Sequence, residues 1–413
     1  MNLRTISEIN ERILDGEATV LTAGELKELV INDEAPSADE VDVVTAATCG
    51  VMSGTAAVMH FRVSEPGSFR KAVSAELNGI PAYPGPCPNE NLGSVDLFIY
   101  GTAHSSTDPD YGGGFLLRDL LLGSEVHVKV TSEDGSVVES TVTLNDIETA
   151  RIIGTRMAFR NYTAIVNPSD KPAKSIFNAF EMPPHCGGLS FSGCGDINPL
   201  ENDPGMEFIR RGTSVLLNGA RGLVLGEGTR SSPEKPNLML SGDLHDMNPA
   251  YIGGFRTAAG PEIFNTIAVP LPVTSERVFE RLMVLNSDIR IPVADVRDRS
   301  RVIHDLTYAD TWAGDERPAY NPEFCSDCSS CLAAERCPTH AIDNGVDLYK
   351  CFGCGVCAFS CPYGVYEMDT GEVRIGDRAV PIICRQSDRV RASRLALELK
   401  ELIENGDFLI GGC

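Results

Sequence analysis

Hydrophobic positions change their period along the chain. Near the N-terminus Ile6, Ile9, Ile13 and Leu14 recur at helical spacing after Thr5 and Ser7, and Leu26, Leu29 and Val30 follow Thr22. This predicts two short helices, each opened by a hydroxyl residue and each carrying one apolar stripe. From about residue 41 the pattern turns strand-like. VDVVTAAT (41–48), DLFIYGT (96–102) and VHVKVTSEDGSVVESTVTL (126–144) are rich in β-formers, with Asp134-Gly135 where a hairpin turn belongs. SVLLNGARGLVLGEG, NLMLSG and IFNTIAVPLPV continue as short apolar runs punctuated by Gly and Pro. Helical spacing returns near the end, where Leu395, Leu399, Leu402 and Ile403 describe one amphipathic helix closed by Gly406. The pattern predicts an α+β (mixed α/β) fold, with a large strand-rich domain and Gly-rich loops such as CGVMSGT, YGGGF, HCGGLSFSGCGD and GEGTR.

Length, charge and targeting narrow the class. A chain of 413 residues suggests two or three domains at roughly 100–200 residues each. The 35 Lys+Arg against 58 Asp+Glu leave a formal charge of -23, which repels phosphate backbones and anionic lipid and so argues against nucleic-acid and membrane partners. MNLRTISEINERILDGE has no apolar signal core, and no long uncharged apolar run follows, so a cytoplasmic protein is expected. Fourteen cysteines in such a chain point to metal or redox chemistry rather than disulfides.

Ten of the fourteen cysteines follow residue 320, and eight fall between Cys325 and Cys361. Pro318 and Pro322 bracket the approach, a linker or extended packing segment, which divides the chain into 1–314, 315–378 and a C-terminal helix and tail at 379–413. Cys325-x2-Cys328-x2-Cys331-x5-Cys337-Pro338 and Cys351-x2-Cys354-x2-Cys357-x3-Cys361-Pro362 form the doubled pattern of two [4Fe-4S] clusters. Three close thiolates take three iron corners, and the distant cysteine crosses to the other cluster. That assigns Cys325, Cys328, Cys331 and Cys361 to one cluster, and Cys351, Cys354, Cys357 and Cys337 to the other. The competing reading, paired structural zinc sites, fits tripled C-x2-C spacing poorly. The segment resembles a small C-terminal bacterial-type 2[4Fe-4S] ferredoxin domain, apart from the longer x5 gap. Glu323, Asp327, Glu335, Asp343, Asp347 and Glu367 surround it against Arg336 and Lys350, a charge balance that lowers reduction potential.

Upstream, Cys49, Cys87, Cys186 and Cys194 are each flanked by Gly or Pro, a placement that favours exposure and reactivity. They offer a persulfide carrier with a resolving partner, or three thiolates for a third iron-sulfur cluster in the large domain. Cys384 and Cys413 read as bystanders. His185 would sit beside Cys186 on a strand, facing the other way; His60, His104 and His245 read as surface or satisfied histidines. Arg118, Arg221 and Arg230 lie near the glycine loops and can clamp an anionic substrate together with loop amides such as that of Gly113.

Residues about 1–310 resemble the homocysteine-biosynthesis family of aspartate semialdehyde sulfurtransferase-like proteins, through EVDVVTAAT, NGIPAY with VDLFIYGTA, YGGGFLLRDLL, INPLENDP, GLVLGEGTR and SGDLHDMNPAYIGGF. Fusion to a two-cluster ferredoxin resembles the methanogenesis marker 16 metalloprotein family. The resemblance implies reductive insertion of sulfide into a small anionic aldehyde, sulfoacetaldehyde giving coenzyme M in a methanogen, with an external low-potential electron donor. Aspartate semialdehyde giving homocysteine is the nearest alternative, and a non-catalytic iron-sulfur electron-transfer or assembly subunit is another. A homodimer is compatible with either. The resemblance places a persulfide-bearing cysteine just past YGGG, where VTSEDGSVVES has none, and another early cysteine that is displaced here, Cys49 preceding Gly50 and Ser53 standing farther on. The catalytic thiol is therefore to be chosen from Cys49, Cys87, Cys186 and Cys194, with Cys49 or Cys87 favoured.

Overall fold

The computed structural model describes residues 3–85, 89–160, 163–312 and 314–411. Both N-terminal helices form where the periodicity placed them, at Ile6–Leu14 and Ala23–Ile31. Each begins with a capping box, in which Thr5 pairs with Glu8 and Thr22 with Glu25, satisfying backbone N–H groups that the first turn leaves open. The hairpin is also present: Val126–Ser132 pairs with Val137–Val142 around Gly135, whose φ of 82° suits glycine.

Most strands join one fourteen-stranded sheet, and a six-stranded sheet stands beside it. In the first sheet the strand Val43–Val51 lies second from one edge, parallel to the edge strand Val20–Thr22 and antiparallel to Gly260–Pro272. It is buried from Val43 to Gly50 on both faces, which explains its continuous apolar run. One face is covered by the C-terminal helix Arg389–Glu404, which buries Leu395, Leu399 and Ile403 completely and accepts a hydrogen bond from Thr45 Oγ1 at the Ala396 carbonyl, 2.9 Å away.

The 379–413 stretch is more than a helix and tail. It supplies most of the strand Arg378–Arg385, which runs parallel to Leu189–Phe191 in the six-stranded sheet, before the helix crosses to the large one. The approach segment is packed as well. Trp312 meets Phe191 edge-on at 5.3 Å, and Arg389 pairs with Asp315 at 3.3 Å.

The cysteine-rich part contributes the short helices Leu332–Arg336 and Val356–Ser360 and the ribbon of Ala319–Tyr320 with Tyr366–Glu367. The lengthened gap before Cys337 is the helix Leu332–Arg336 itself. This part is docked on the large sheet. Phe352, 1% exposed, packs on Phe255 and Phe264 at 5.1 Å each, and the amides of Arg256 and Arg385 donate to the carbonyls of Pro338 and Cys354. Among the described residues no helix is long and apolar enough to cross a membrane.

Candidate active site

Three segments converge where the two sheets meet: the end of the strand Val43–Val51 at Cys49–Val51, the turn Ser192–Cys194, and residues Gln386–Asp388. Gly50 lies so close to the last segment that a Cβ there would stand 3.0 Å from the Gln386 carbonyl. Val51 N donates to that same carbonyl at 3.2 Å, and Gln386 N donates to the Phe191 carbonyl at 2.8 Å.

A cavity of about 420 Å³ opens on one side of this junction. Val51, Ser53, Ser192 and Gln386 form part of its wall, and Arg156, Arg160, Arg230, Lys235 and Arg299 bring five cationic side chains to it. Arg160 is paired with Glu201 at 2.9 Å, and the Arg156 and Arg299 guanidinium groups lie over Phe159 and Phe177. None of the described lining residues is acidic. In a chain of charge -23, that is a local reversal of field suited to a small anion.

The adjoining residues hold two thiols. Cys194 Sγ lies 3.4 Å from both the amide nitrogen and the carbonyl oxygen of Cys49, and both cysteines are fully buried. This corrects the exposure expected from their glycine and proline neighbours. Those glycines serve close packing: a Cβ on Gly195 would meet Asn286 Oδ1 at 2.1 Å. Burial pushes the Cys194 thiol up to about 11 and the Cys49 thiol well above its ordinary value, so both are held neutral near pH 7. The Arg389 guanidinium caps the Cys194 carbonyl at 2.9 Å and pairs with Asp196 at 3.0 Å.

On the other side of the pair the Asp388 amide donates to the Cys49 carbonyl at 3.0 Å. The Asp388 carboxylate, fully buried, bridges Arg317 at 2.8 Å and Arg391, and Arg391 donates to the Cys351 carbonyl at 2.7 Å. A continuous line of contacts thus runs from the cavity wall through Cys49 and Cys194 to Cys351.

Cys337, Cys351, Cys354 and Cys357 line one small cavity. The amides of Ala341 and Gly353 aim at the Cys337 and Cys351 sulfurs from 3.2 and 3.4 Å. Four thiols around one space, with amides turned to sulfur, fit the donor set of an iron-sulfur cluster. Among the described residues no three Cys, His, Asp or Glu side chains close on a single-ion point; the four sulfurs surround a space instead. The other quartet differs in setting. Cys325, Cys328 and Cys331 are exposed and Cys361 is half-buried; burial, with the charges of Cys331, Cys357 and Cys361 nearby, pushes the Tyr366 hydroxyl up.

The remaining candidates scatter. Cys186 is half-buried against the six-stranded sheet, apart from the Cys49–Cys194 pair. It shares with His185 a left-handed turn, φ 52° and 55°, rather than the strand the sequence suggested. Cys87 lies outside the described residues. Arg230 lines the cavity. Arg118 instead sits buried with its guanidinium 5.1 Å from the Tyr349 ring, clamping the cysteine-rich part, and Arg221 lies over Phe408. Gly113 answers a packing need, since a Cβ there would stand 2.3 Å from the Tyr100 carbonyl. Arg156, Arg160, Lys235, Arg299 and Ser53 escaped the sequence reading because four distant segments bring them together.

A sulfur-incorporation class matches this site. The chain belongs to the family described as homocysteine biosynthesis enzyme, sulfur-incorporation, whose model matches residues 18–410. It is 79% identical over 408 residues to an uncharacterised protein of Methanothermobacter thermautotrophicus, covering 99% of this chain and 95% of that one. It is 34% identical over 314 residues to the L-aspartate semialdehyde sulfurtransferase of Methanocaldococcus jannaschii, covering 71% of this chain and 59% of that protein. An uncharacterised ferredoxin of the same organism is 36% identical over 94 residues, 21% of this chain and 52% of its own length. No solved structure matches significantly.

Proposed function

We propose that the protein reductively inserts sulfide into a small anionic aldehyde, converting sulfoacetaldehyde to coenzyme M. The observation that carries this reading is the cavity, with five cationic side chains and no acidic one among its described lining residues. A sulfonate accepts hydrogen bonds from guanidinium groups on every oxygen. Aspartate semialdehyde also carries an ammonium group, for which the described lining offers no carboxylate among its five cationic side chains. Membership of a sulfur-incorporation family supports the reaction type.

The balance is aldehyde plus hydrogen sulfide, two electrons and two protons, giving thiol and water. Arg230, Lys235 and Arg299 hold the sulfonate at the cavity mouth, and the aldehyde carbon faces Ser53 and Ser192. Sulfide adds to the carbonyl, and loss of water leaves a thioaldehyde. The two thiols then reduce it. A shift of the Ser192–Gly193 turn brings Cys194 to the thioaldehyde sulfur; an S–S bond forms and the carbon takes a proton. Cys49 attacks that mixed disulfide, releasing the product thiol and closing a Cys49–Cys194 disulfide. Clusters held by Cys325, Cys328, Cys331 and Cys361 and by Cys337, Cys351, Cys354 and Cys357 supply, when bound, the low-potential electrons that the cycle consumes.

The test offers purified, cluster-loaded protein sulfide, a low-potential donor, and either sulfoacetaldehyde or aspartate semialdehyde. Multiple turnovers to coenzyme M, abolished in Cys49→Ala and Cys194→Ala, are expected. Turnover only with aspartate semialdehyde would transfer the reading to homocysteine formation, and no turnover with either would leave an electron-transfer or assembly role.

A further inference from the structure

Glu262, near the start of the strand Gly260–Pro272, is 7% exposed. The Ser53 hydroxyl lies beside this carboxyl, and Glu262 Oε2 is buried with no hydrogen-bond partner among the described residues. Ser53 lines the cationic cavity. The two segments are fastened by the Met52 amide, which donates to the Ile263 carbonyl at 2.8 Å. A buried carboxyl thus stands one hydroxyl behind the cavity wall.

Among the described residues no charged side chain is paired with it. Arg256, on the neighbouring strand, is paired with Asp110 at 2.8 Å. Arg156 packs against Gly54 with its guanidinium over Phe159, and His104 packs against Gly260. Desolvation without a counter-charge disfavours the carboxylate, and burial accordingly pushes this carboxyl above the usual range. A carboxylic acid kept neutral beside a reaction site can donate a proton.

We propose that Glu262 is the proton source of the cavity, acting through the Ser53 hydroxyl on the adduct that sulfide forms with the aldehyde. The inference rests on the reductive sulfur-insertion reading and assigns its dehydration step. Ser53 passes its proton to the adduct hydroxyl and takes one from Glu262. The carbon–oxygen bond breaks, water leaves, and the sulfhydryl electrons form the carbon–sulfur double bond. The sulfhydryl proton returns through Ser53 to the Glu262 carboxylate, so the step needs no oxidant or reductant. Ser53 is the group that touches the adduct; Glu262 works through it.

The experiment compares wild type, E262Q, E262D and S53A as full-length, cluster-loaded protein. Thiol formation by E262Q and S53A is expected to fall in kcat on the order of 100-fold, with the aldehyde KM little changed. Wild-type kcat should decline as pH rises through the Glu262 titration, because the acid form is the active one; E262Q should lack that limb and E262D should recover part of the rate. Should E262Q not fold, S53A removes the relay while leaving the carboxyl in place. Infrared difference spectra across pH add a readout independent of turnover: a protonated-carboxyl C=O band that persists to higher pH than that of an exposed glutamate and is missing in E262Q. Wild-type kcat and pH profile in E262Q, or in S53A where E262Q does not fold, would overturn the proposal, as would absence of that band. If wild type makes no thiol from any anionic aldehyde, the parent reading fails and the band alone decides the state of Glu262.

Discussion

The two cysteine quartets share a spacing and differ in surroundings. Cys325, Cys328 and Cys331 stand in solvent within an acidic stretch where Glu323, Asp327 and Glu335 are also exposed. Cys337, Cys351, Cys354 and Cys357 are buried, and Cys354 belongs to the hydrophobic core of the large sheet body. Near-identical motifs have thus become an outward face and an inward one. The difference comes from what packs on each: Phe352 packs on Phe255 and Phe264, and Arg391 ties the Cys351 carbonyl to Asp388, whereas Cys325, Cys328 and Cys331 stay exposed. On the proposed function, burial gives the module a direction, with electrons entering at the exposed end and the thiol pair at the other.

Removing one proposed cluster ligand from each end should expose that difference most strongly. Cys354→Ala takes a thiol out of the buried core and is expected to abolish thiol formation, lower iron and acid-labile sulfide, and destabilise the whole chain, because a bound cluster is part of the folding free energy. Cys328→Ala should also lower iron, but leave the sheet body folded and partly active when a small-molecule reductant bypasses the exposed end. Iron counts, turnover and thermal unfolding on both variants check this. Equal losses from the two would show that burial assigns no direction.

Next in size is Asp388. Its carboxylate has no exposed surface and stands between Arg317 and Arg391, themselves largely buried. Removing one partner from a buried ion network leaves uncompensated charge, at a cost of about 3–5 kcal/mol. Asp388→Ala should lower stability by that amount in denaturant titrations, while Asp327→Ala, beside the exposed quartet, stays within about 0.5 kcal/mol. A small effect at Asp388 would mean that the line of contacts from Cys49 to Cys351 is a weak join.

Local chemistry made part of this architecture readable in the sequence. Thr5 with Glu8, Thr22 with Glu25 and Asp134 with Gly135 act within a few residues, so the pattern carries them whatever the fold does. The cluster cysteines are equally local. The cavity is not: Ser53, Arg156, Ser192, Arg230, Arg299 and Gln386 are far apart in sequence, and no one segment signals the others. Of the three arginines proposed from proximity to glycine loops, the structure brings only Arg230 to the cavity; Arg118 and Arg221 face aromatic rings elsewhere. Glycines beside Cys49 and Cys194 misled for a related reason. A glycine marks either an open turn or a place with no room for a Cβ, and only the partner segment, Gln386 for Gly50 or Asn286 for Gly195, tells which. The C-terminal strand was hidden because AVPIICR has the look of a short apolar run whose partner, Leu189–Phe191, lies far upstream.

The smallest effect concerns the thiols at the inner end. Burial raises the Cys194 thiol to about 11, while an unfolded cysteine ionises near about 8.5. The folded value is the higher one, so this group's contribution to stability is fully present below pH about 8.5 and is lost as pH rises towards about 11. Between those limits the reduced protein should lose about 1.4 kcal/mol per pH unit from Cys194, so unfolding free energies from denaturant titrations at pH 7 and pH 9.5 should differ by about 1.4 kcal/mol for that residue. Cys49, raised for the same reason, adds in the same direction. Cys194→Ala should show a shallower decline, and so should wild type oxidised to a Cys49–Cys194 disulfide, since neither has that proton to lose. Identical pH slopes in reduced wild type and Cys194→Ala would mean that water reaches the pair, and that the inner end of the module is no drier than the outer one.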